Sequence, residues 1–194
     1  MPPAMNALRL FIALPLSAAL KKNAESLQNR GMRQVEGIRW VAPTQMHLTL
    51  LFLGRVPPEK QAQIETMICE TAACSQSFTL EFSGVGVFPH IQSPKVVWAG
   101  VSGVPALMAL QEALALQIAK IPFPVETRPF RPHLTLGRIR GKGSVNALRA
   151  WIKQEEGVDL GACRMSSVCL MESQLSTQGA RYITCLEAPL KSVN

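Results

Sequence analysis

Aspartate is almost missing from this chain. Its 194 residues include one, Asp159, and 13 acidic side chains in all against 20 Lys and Arg. Mg²⁺ and Ca²⁺ sites need several hard oxygen ligands, so chemistry built on a carboxylate-held divalent ion is disfavoured and no cofactor or metal is expected. Five cysteines, Cys69, Cys74, Cys163, Cys169 and Cys185, form an odd set without a C-x-x-C pair. That argues against a disulfide framework and a zinc site and predicts reduced thiols. No apolar run reaches the ~18 residues needed to cross a bilayer. The nearest thing to a targeting segment, Leu10 to Leu16 followed by Ser17-Ala18-Ala19, is interrupted by Pro15 and is short for a signal peptide. A cytoplasmic protein without a membrane partner is expected, with secretion as the lesser alternative.

A 47% hydrophobic composition is enough to bury a core, so residues 1–194 suit one domain, or two small lobes sharing a core. The net charge of +7 favours anionic partners such as nucleic acid or phosphorylated small molecules. Strand-length and helix-length segments alternate, which predicts a mixed α+β fold. Strands are expected at Leu8–Leu14, Ile38–Val41, Met46–Leu53, Phe78–Phe82, Val96–Val101, Pro132–Ile139, Arg164–Met171 and Arg181–Leu186. Helices are expected from Ser17 to about Arg30, after Pro57-Pro58, over Pro105–Lys120 and around Val145–Glu155. Leu107, Leu110, Leu114 and Ile118 give the third helix a stripe that core packing explains.

The informative feature is a repeat. His47-Leu-Thr-Leu50 recurs as His133-Leu-Thr-Leu136, 86 positions later, and involves two of the three histidines. At average residue frequencies such a coincidence arises in roughly one chain in a thousand. On a strand, the period of two puts each His with its Thr on one face and the leucines on the other. Counting backwards on the same faces adds Arg131 and Gln45. A motif repeated in the two halves suggests lobes related by a pseudo-twofold axis, with the His/Thr strands meeting across a cleft.

Cleaving a phosphodiester requires a base for the attacking oxygen, an acid for the leaving oxygen, and donors for the charged phosphoryl oxygens. Histidine, with an ordinary pKa near ~6.5, can fill either proton-transfer role. Two histidines on opposite sides of one phosphorus provide both. Thr49, Thr135 and the Arg131 guanidinium can hold the phosphoryl oxygens.

With these motifs the chain resembles the 2H phosphoesterase superfamily, and within it the RNA 2′,3′-cyclic phosphodiesterase (2′-5′ RNA ligase) family. The likeness runs through Arg9-Leu-Phe-Ile-Ala-Leu-Pro15, Trp40-Val-Ala-Pro-Thr-Gln-Met-His47, Val87-Phe-Pro89, Val97-Trp-Ala-Gly100, Phe130-Arg-Pro-His-Leu-Thr-Leu-Gly-Arg138, Leu170-Met-Glu-Ser173 and Gly179-Ala-Arg-Tyr182. It implies two pseudo-symmetric lobes with antiparallel sheets facing a central cleft and helices outside. It also implies hydrolysis of RNA 2′,3′-cyclic phosphate ends to 2′-phosphomonoesters, with a reversible 2′-5′ ligase activity in some relatives. His47 would be the proton donor and His133 the proton acceptor, although pseudo-symmetry leaves those two roles interchangeable on sequence alone. Thr49, Thr135 and Arg131 would contact phosphate. The partner would be RNA with a cyclic phosphate end, tRNA fragments included, or a nucleotide, and no obligate protein partner is evident. An RNA-end-binding module without chemistry, or an enzyme for 2′-5′ oligoadenylates or small cyclic nucleotides, is the alternative.

Tyr182, the only tyrosine, and Phe11 on the first strand are further candidates for substrate contact, Tyr182 by stacking on a base. His90, in a loop, is left out of the catalytic set. Arg128, Arg131, Arg138, Arg140 and Lys142 gather around the second motif as a candidate RNA-backbone track. Gly84-x-Gly86 lacks the third glycine of a dinucleotide-binding turn.

Overall fold

The computed structural model describes residues 7–122, 129–141, 143–176 and 179–192. The elements run β1 (Leu8–Pro15), α1 (Ala18–Met32), β2 (Ile38–Trp40), β3 (His47–Val56), α2 (Gln61–Cys74), β4 (Phe78–Phe88), β5 (Val96–Ser102), α3 (Pro105–Ile118), β6 (Leu134–Ile139), α4 (Val145–Gln154), β7 (Asp159–Met165), β8 (Ser167–Ser176) and β9 (Gly179–Pro189). Ser17 caps α1 as expected, its hydroxyl accepting from the Leu20 N–H at 3.2 Å. Pro58 opens a short 3-10 turn, Pro58–Lys60, before α2 begins.

Two antiparallel sheets result, in the orders β3-β1-β8-β9 and β2-β6-β5-β4-β7. Helices cover the outer faces with an exchange between the halves. Helix α1 leaves the first sheet and packs on β7 of the second, while α3 leaves the second and packs on α2 and β3. The expected α+β architecture of two sheet-built lobes is the one observed. The run that has the look of a targeting segment is β1, an inner strand of the first sheet, and Phe11, Ile12, Ala13 and Leu14 on it are buried. Among the described residues no helix is long and apolar enough to cross a membrane.

Two expectations need correction. The run Arg164–Met171 is not one strand. It is parts of β7 and β8, which lie in different sheets and meet at Ser166, and no Gly or Pro marks the break. Strand β4 also continues to Phe88 instead of ending at Phe82, because Gly84, at φ +66°, absorbs a register shift within the strand. This extension brings Phe88 to the site described next.

Candidate active site

Leu48, Leu50, Leu134 and Leu136 are all buried, so both tetrapeptides turn their leucines inward, as the period of two requires. His47 is the first residue of β3 and His133 immediately precedes β6. The two strands come close, with Cα atoms within 8 Å of each other. Both motifs then break the alternation at the same place. In the first, Thr49 pairs with Ala13 but Leu51 with Ile12, leaving Leu50 unmatched. In the second, Thr135 pairs with Trp98 but Gly137 with Val97, leaving Leu136 unmatched. A bulge of this kind reverses the faces of the residues beyond it. Phe52 and Arg138, each five positions after its histidine, therefore return to the faces of Thr49 and Thr135.

The two imidazoles are held alike. Nδ1 of His47 donates to the Gln45 carbonyl at 2.8 Å, and Nδ1 of His133 donates to the Arg131 carbonyl at 2.7 Å. A carbonyl can only accept, so each neutral ring carries its proton on Nδ1 and leaves Nε2 as the nitrogen for chemistry. Aromatic rings fix the planes. Phe11 lies 4.8 Å from His47 between centroids, and Tyr182 meets His47 edge-on at 4.9 Å. Phe88 meets His133 edge-on at 5.0 Å, and is itself stacked at 5.1 Å on Trp98. Trp98 can lie across β4 only because Gly86 has no Cβ, which would land on the indole.

Burial pushes the His47 pKa down to about 4, against the opposing bond to Gln45 and with help from the positive Lys21 and Arg138. His133 is also lowered, first by burial and then by Arg138, again against its carbonyl bond. Arg138 thus acts on both histidines. It belongs to the basic run, but nothing in the sequence sets it apart from its neighbours there, because plain alternation from Thr135 would turn it away. Lys21, in the first turn of α1, carries no sequence signal that would have marked it. Of the expected site residues, His47, Thr49, Phe11 and Tyr182 come together on the first sheet, and His133 and Thr135 on the second. Arg131 is exposed, and its contact to the site is the carbonyl held by His133. Arg140 is exposed too, while Arg128 and Lys142 lie outside the described residues. His90 sits in the exposed turn after β4, two residues beyond Phe88. Among the described residues no group of three or more His, Cys, Asp and Glu side chains could hold a metal ion.

Two lobes, each offering a His-x-Thr strand to a shared face with Nε2 free and cationic groups beside it, define a 2H phosphoesterase. The chain belongs to the 2′-5′ RNA ligase superfamily, whose family model matches residues 17–176. It is 32% identical over 174 residues to the RNA 2′,3′-cyclic phosphodiesterase of Methanothermobacter thermautotrophicus, covering 90% of this chain and 94% of that protein. It is 35% identical over 133 residues to the enzyme of the same name from Thermotoga maritima, covering 69% and 71%. Among solved structures, TT0787 of Thermus thermophilus superposes with a TM-score of 0.82 at 25% identity, covering 96% of this chain and all of that one. Escherichia coli LigT in apo form gives 0.77 at 26% identity, covering 96% and 99%.

Proposed function

We propose that this protein hydrolyses 2′,3′-cyclic phosphate ends of RNA to 2′-phosphomonoesters, with the two histidines as its acid and base. His133 Nε2 takes a proton from water as the water oxygen attacks phosphorus. The bond from phosphorus to the 3′ oxygen breaks, and that oxygen takes a proton from His47 Nε2. One water is consumed, and the two imidazoles return to their starting states by exchange with solvent. Thr49 and Thr135 donate to the non-bridging oxygens, where charge develops, and Arg131 and Arg138 supply positive charge there. No step calls for a metal. The reverse reaction, in which a 5′-hydroxyl replaces water, is a 2′-5′ ligation.

The observation that carries this reading is the matched pair of Nδ1-to-carbonyl bonds, which occupies Nδ1 of each ring and leaves Nε2 as the nitrogen that gains and loses a proton. The names of the relatives agree with it, and a LigT structure has been solved with 3′-AMP. All five cysteines are free, which suits a reducing cytosol.

The test is incubation with cyclic-phosphate-ended oligonucleotides and small cyclic nucleotides in excess chelator, with product phosphate position read by ³¹P NMR. A 2′-phosphate product is expected, with a bell-shaped pH profile that loses one limb in His47→Ala or His133→Ala. Turnover falls by roughly 10² to 10⁴ in each variant. Unchanged turnover in both would sink the proposal, and salt-dependent RNA binding without hydrolysis would favour the binding-module alternative.

A further inference from the structure

Helix α1 starts at Ala18, just beyond Pro15, the residue of β1 that stands opposite His47. It thus leaves the first sheet beside that histidine and crosses to the second, where it packs on β7. Hydrogen bonds from two of its side chains fix how it is turned. Asn23 donates to the Leu160 carbonyl on β7 at 2.9 Å, and Gln28 donates to the carbonyls of Val41 and Leu136 at 2.8 Å each. From Val41 the chain returns towards the start of α1 through the turn Pro43–Gln45, which packs on the helix, and reaches His47.

Lys21 lies seven positions before Gln28. At 3.6 residues per turn that is two turns, so Lys21 shares the face of Gln28 and sits about 10 Å nearer the helix start. That face is the one turned towards the segment between Val41 and His47. Burial agrees, because Lys21 is half-buried while Lys22 beside it is exposed. Glu25 stands one turn further along α1, a spacing at which lysine and glutamate can pair. Lys21 makes no such pair, since the one ion pair among the described residues joins Arg30 and Glu155.

A half-buried ammonium without a counter-ion costs the fold stability, and a bound anion offsets that cost. Arg138, on the second sheet, is a cation of the same site, and the positive charge of each bears on the His47 ring. Two cations from different elements therefore flank the histidine.

We infer that Lys21 is a phosphoryl-binding residue of this site, whose ammonium holds a non-bridging oxygen from the His47 side and favours the phosphomonoester product over the cyclic ester. The inference rests on the phosphodiesterase reading and adds a consequence to it. A cyclic phosphate carries one negative charge, whereas a phosphomonoester, with a second pKa near ~6, carries almost two above neutrality. The added charge beside an ammonium strengthens binding by about fivefold or more, so the enzyme is inhibited by its own product.

The experiment measures kcat/KM for a cyclic mononucleotide and Ki for the matching 2′-phosphomonoester at pH 8. In wild type Ki is expected to lie at least about fivefold below KM. Lys21→Met keeps the apolar stem and loses the charge. It should lower kcat/KM by about tenfold to hundredfold and bring Ki up towards KM, while Lys21→Arg keeps most of both. Lys21→Gln is measured in parallel, so that a folding failure of either variant leaves the other. Lys22→Met removes the same charge from the exposed neighbour and should leave both quantities within about twofold of wild type. Unchanged kcat/KM and Ki in the Lys21 variants, or an equal loss in Lys22→Met, overturns the assignment and leaves the phosphodiesterase reading standing. If wild type does not hydrolyse the cyclic nucleotide, that reading falls by itself. Lys21 is then judged by calorimetric titration with inorganic phosphate and 2′-AMP, where weaker binding by Lys21→Met supports the assignment. Equal affinity, or no binding by wild type, overturns it.

Discussion

Phe52 and Arg138 occupy equivalent places in the two lobes. Each follows its histidine by five residues, and each is carried back to the face of the preceding threonine by an unmatched leucine, Leu50 or Leu136. The repeat thus includes the backbone irregularity as well as the tetrapeptide, and the fold uses the shared position for different chemistry on the two sides. On the first side Phe52 stands 6.1 Å from Phe11, the ring that packs on His47, and on the second a guanidinium acts on both histidines.

From that placement, Arg138 is expected to stabilise the charge that develops on phosphorus. Arg138→Ala should cut kcat/KM by roughly 10² to 10³, the usual cost of losing one such donor. Arg138→Lys should recover only part of it, because an ammonium cannot reproduce the fork of a guanidinium. Steady-state kinetics on a cyclic-phosphate dinucleotide measures both.

The proton inventory provides a second check. In the free protein His47 titrates at about 4, so at neutral pH it holds no proton to give to a leaving oxygen. Bound phosphate places a negative charge near both rings and favours their charged forms. Imidazole Cε1–H resonances followed by NMR should titrate higher by about one to three pH units when a 2′-nucleotide is present. His47 should shift together with His133, whose pKa is also lowered in the free protein. In the proposed mechanism the acid is then charged by the substrate itself, so that a histidine neutral at rest supports activity near neutrality.

The same depression ties stability to pH. An unfolded chain holds His47 at its ordinary 6.5 and the folded one at about 4, so between those values the unfolded state binds the extra proton. The contribution of His47 to stability is fully present above pH 6.5 and is lost as pH falls towards 4, for a total of up to about 3 kcal/mol. His133 acts with the same sign. Urea midpoints at a series of pH values should fall across this window in wild type and fall less in His47→Gln.

Much of this site was legible in the residues. The leucines of both tetrapeptides are buried and the histidines share one region because a period of two is a property of any strand. The positions beyond the tetrapeptides were not legible, because a bulge depends on the partner strand, here β1 and β5, and leaves no mark in the bulged sequence. Counting backwards by two did reach Gln45 and Arg131, but the fold uses their carbonyls, which every residue type possesses. Phe88, which the sequence places in a loop beside Pro89, is the last residue of β4, since a strand carrying a glycine register shift looks like two shorter segments.

Phe88 is expected to position His133 without touching substrate. Gly86→Ala would drive a Cβ into Trp98, and the displaced indole would press on Phe88 and tilt the imidazole. Crowding of this kind costs roughly 1–3 kcal/mol of stability. The diagnostic effect is on kcat, with KM for the cyclic nucleotide little changed, because the misplaced group is the proposed base and not a proposed binding contact. Phe88→Leu should lower kcat in the same way, and Phe88→Tyr should retain most of it.

A buried amide from outside both motifs sets the second bulge. Gln28, on α1 and 1% exposed, donates through Nε2 to the carbonyls of Val41 and Leu136, each at 2.8 Å. The Leu136 carbonyl belongs to the unmatched residue and takes a further bond from the Val41 N–H at 2.9 Å. Gln28→Leu removes the donor, takes from the Val41 carbonyl its bond to the amide and leaves the Leu136 carbonyl with the Val41 N–H alone, a loss of about 1–3 kcal/mol. If stability were the whole of its role, kcat well below the melting temperature would be unchanged. Because the bulge is what turns Arg138 towards the histidines, kcat should fall even where circular dichroism shows the variant fully folded. The loss should be smaller in an Arg138→Ala background than in wild type, the non-additivity that a double-mutant cycle reads when one residue acts through another.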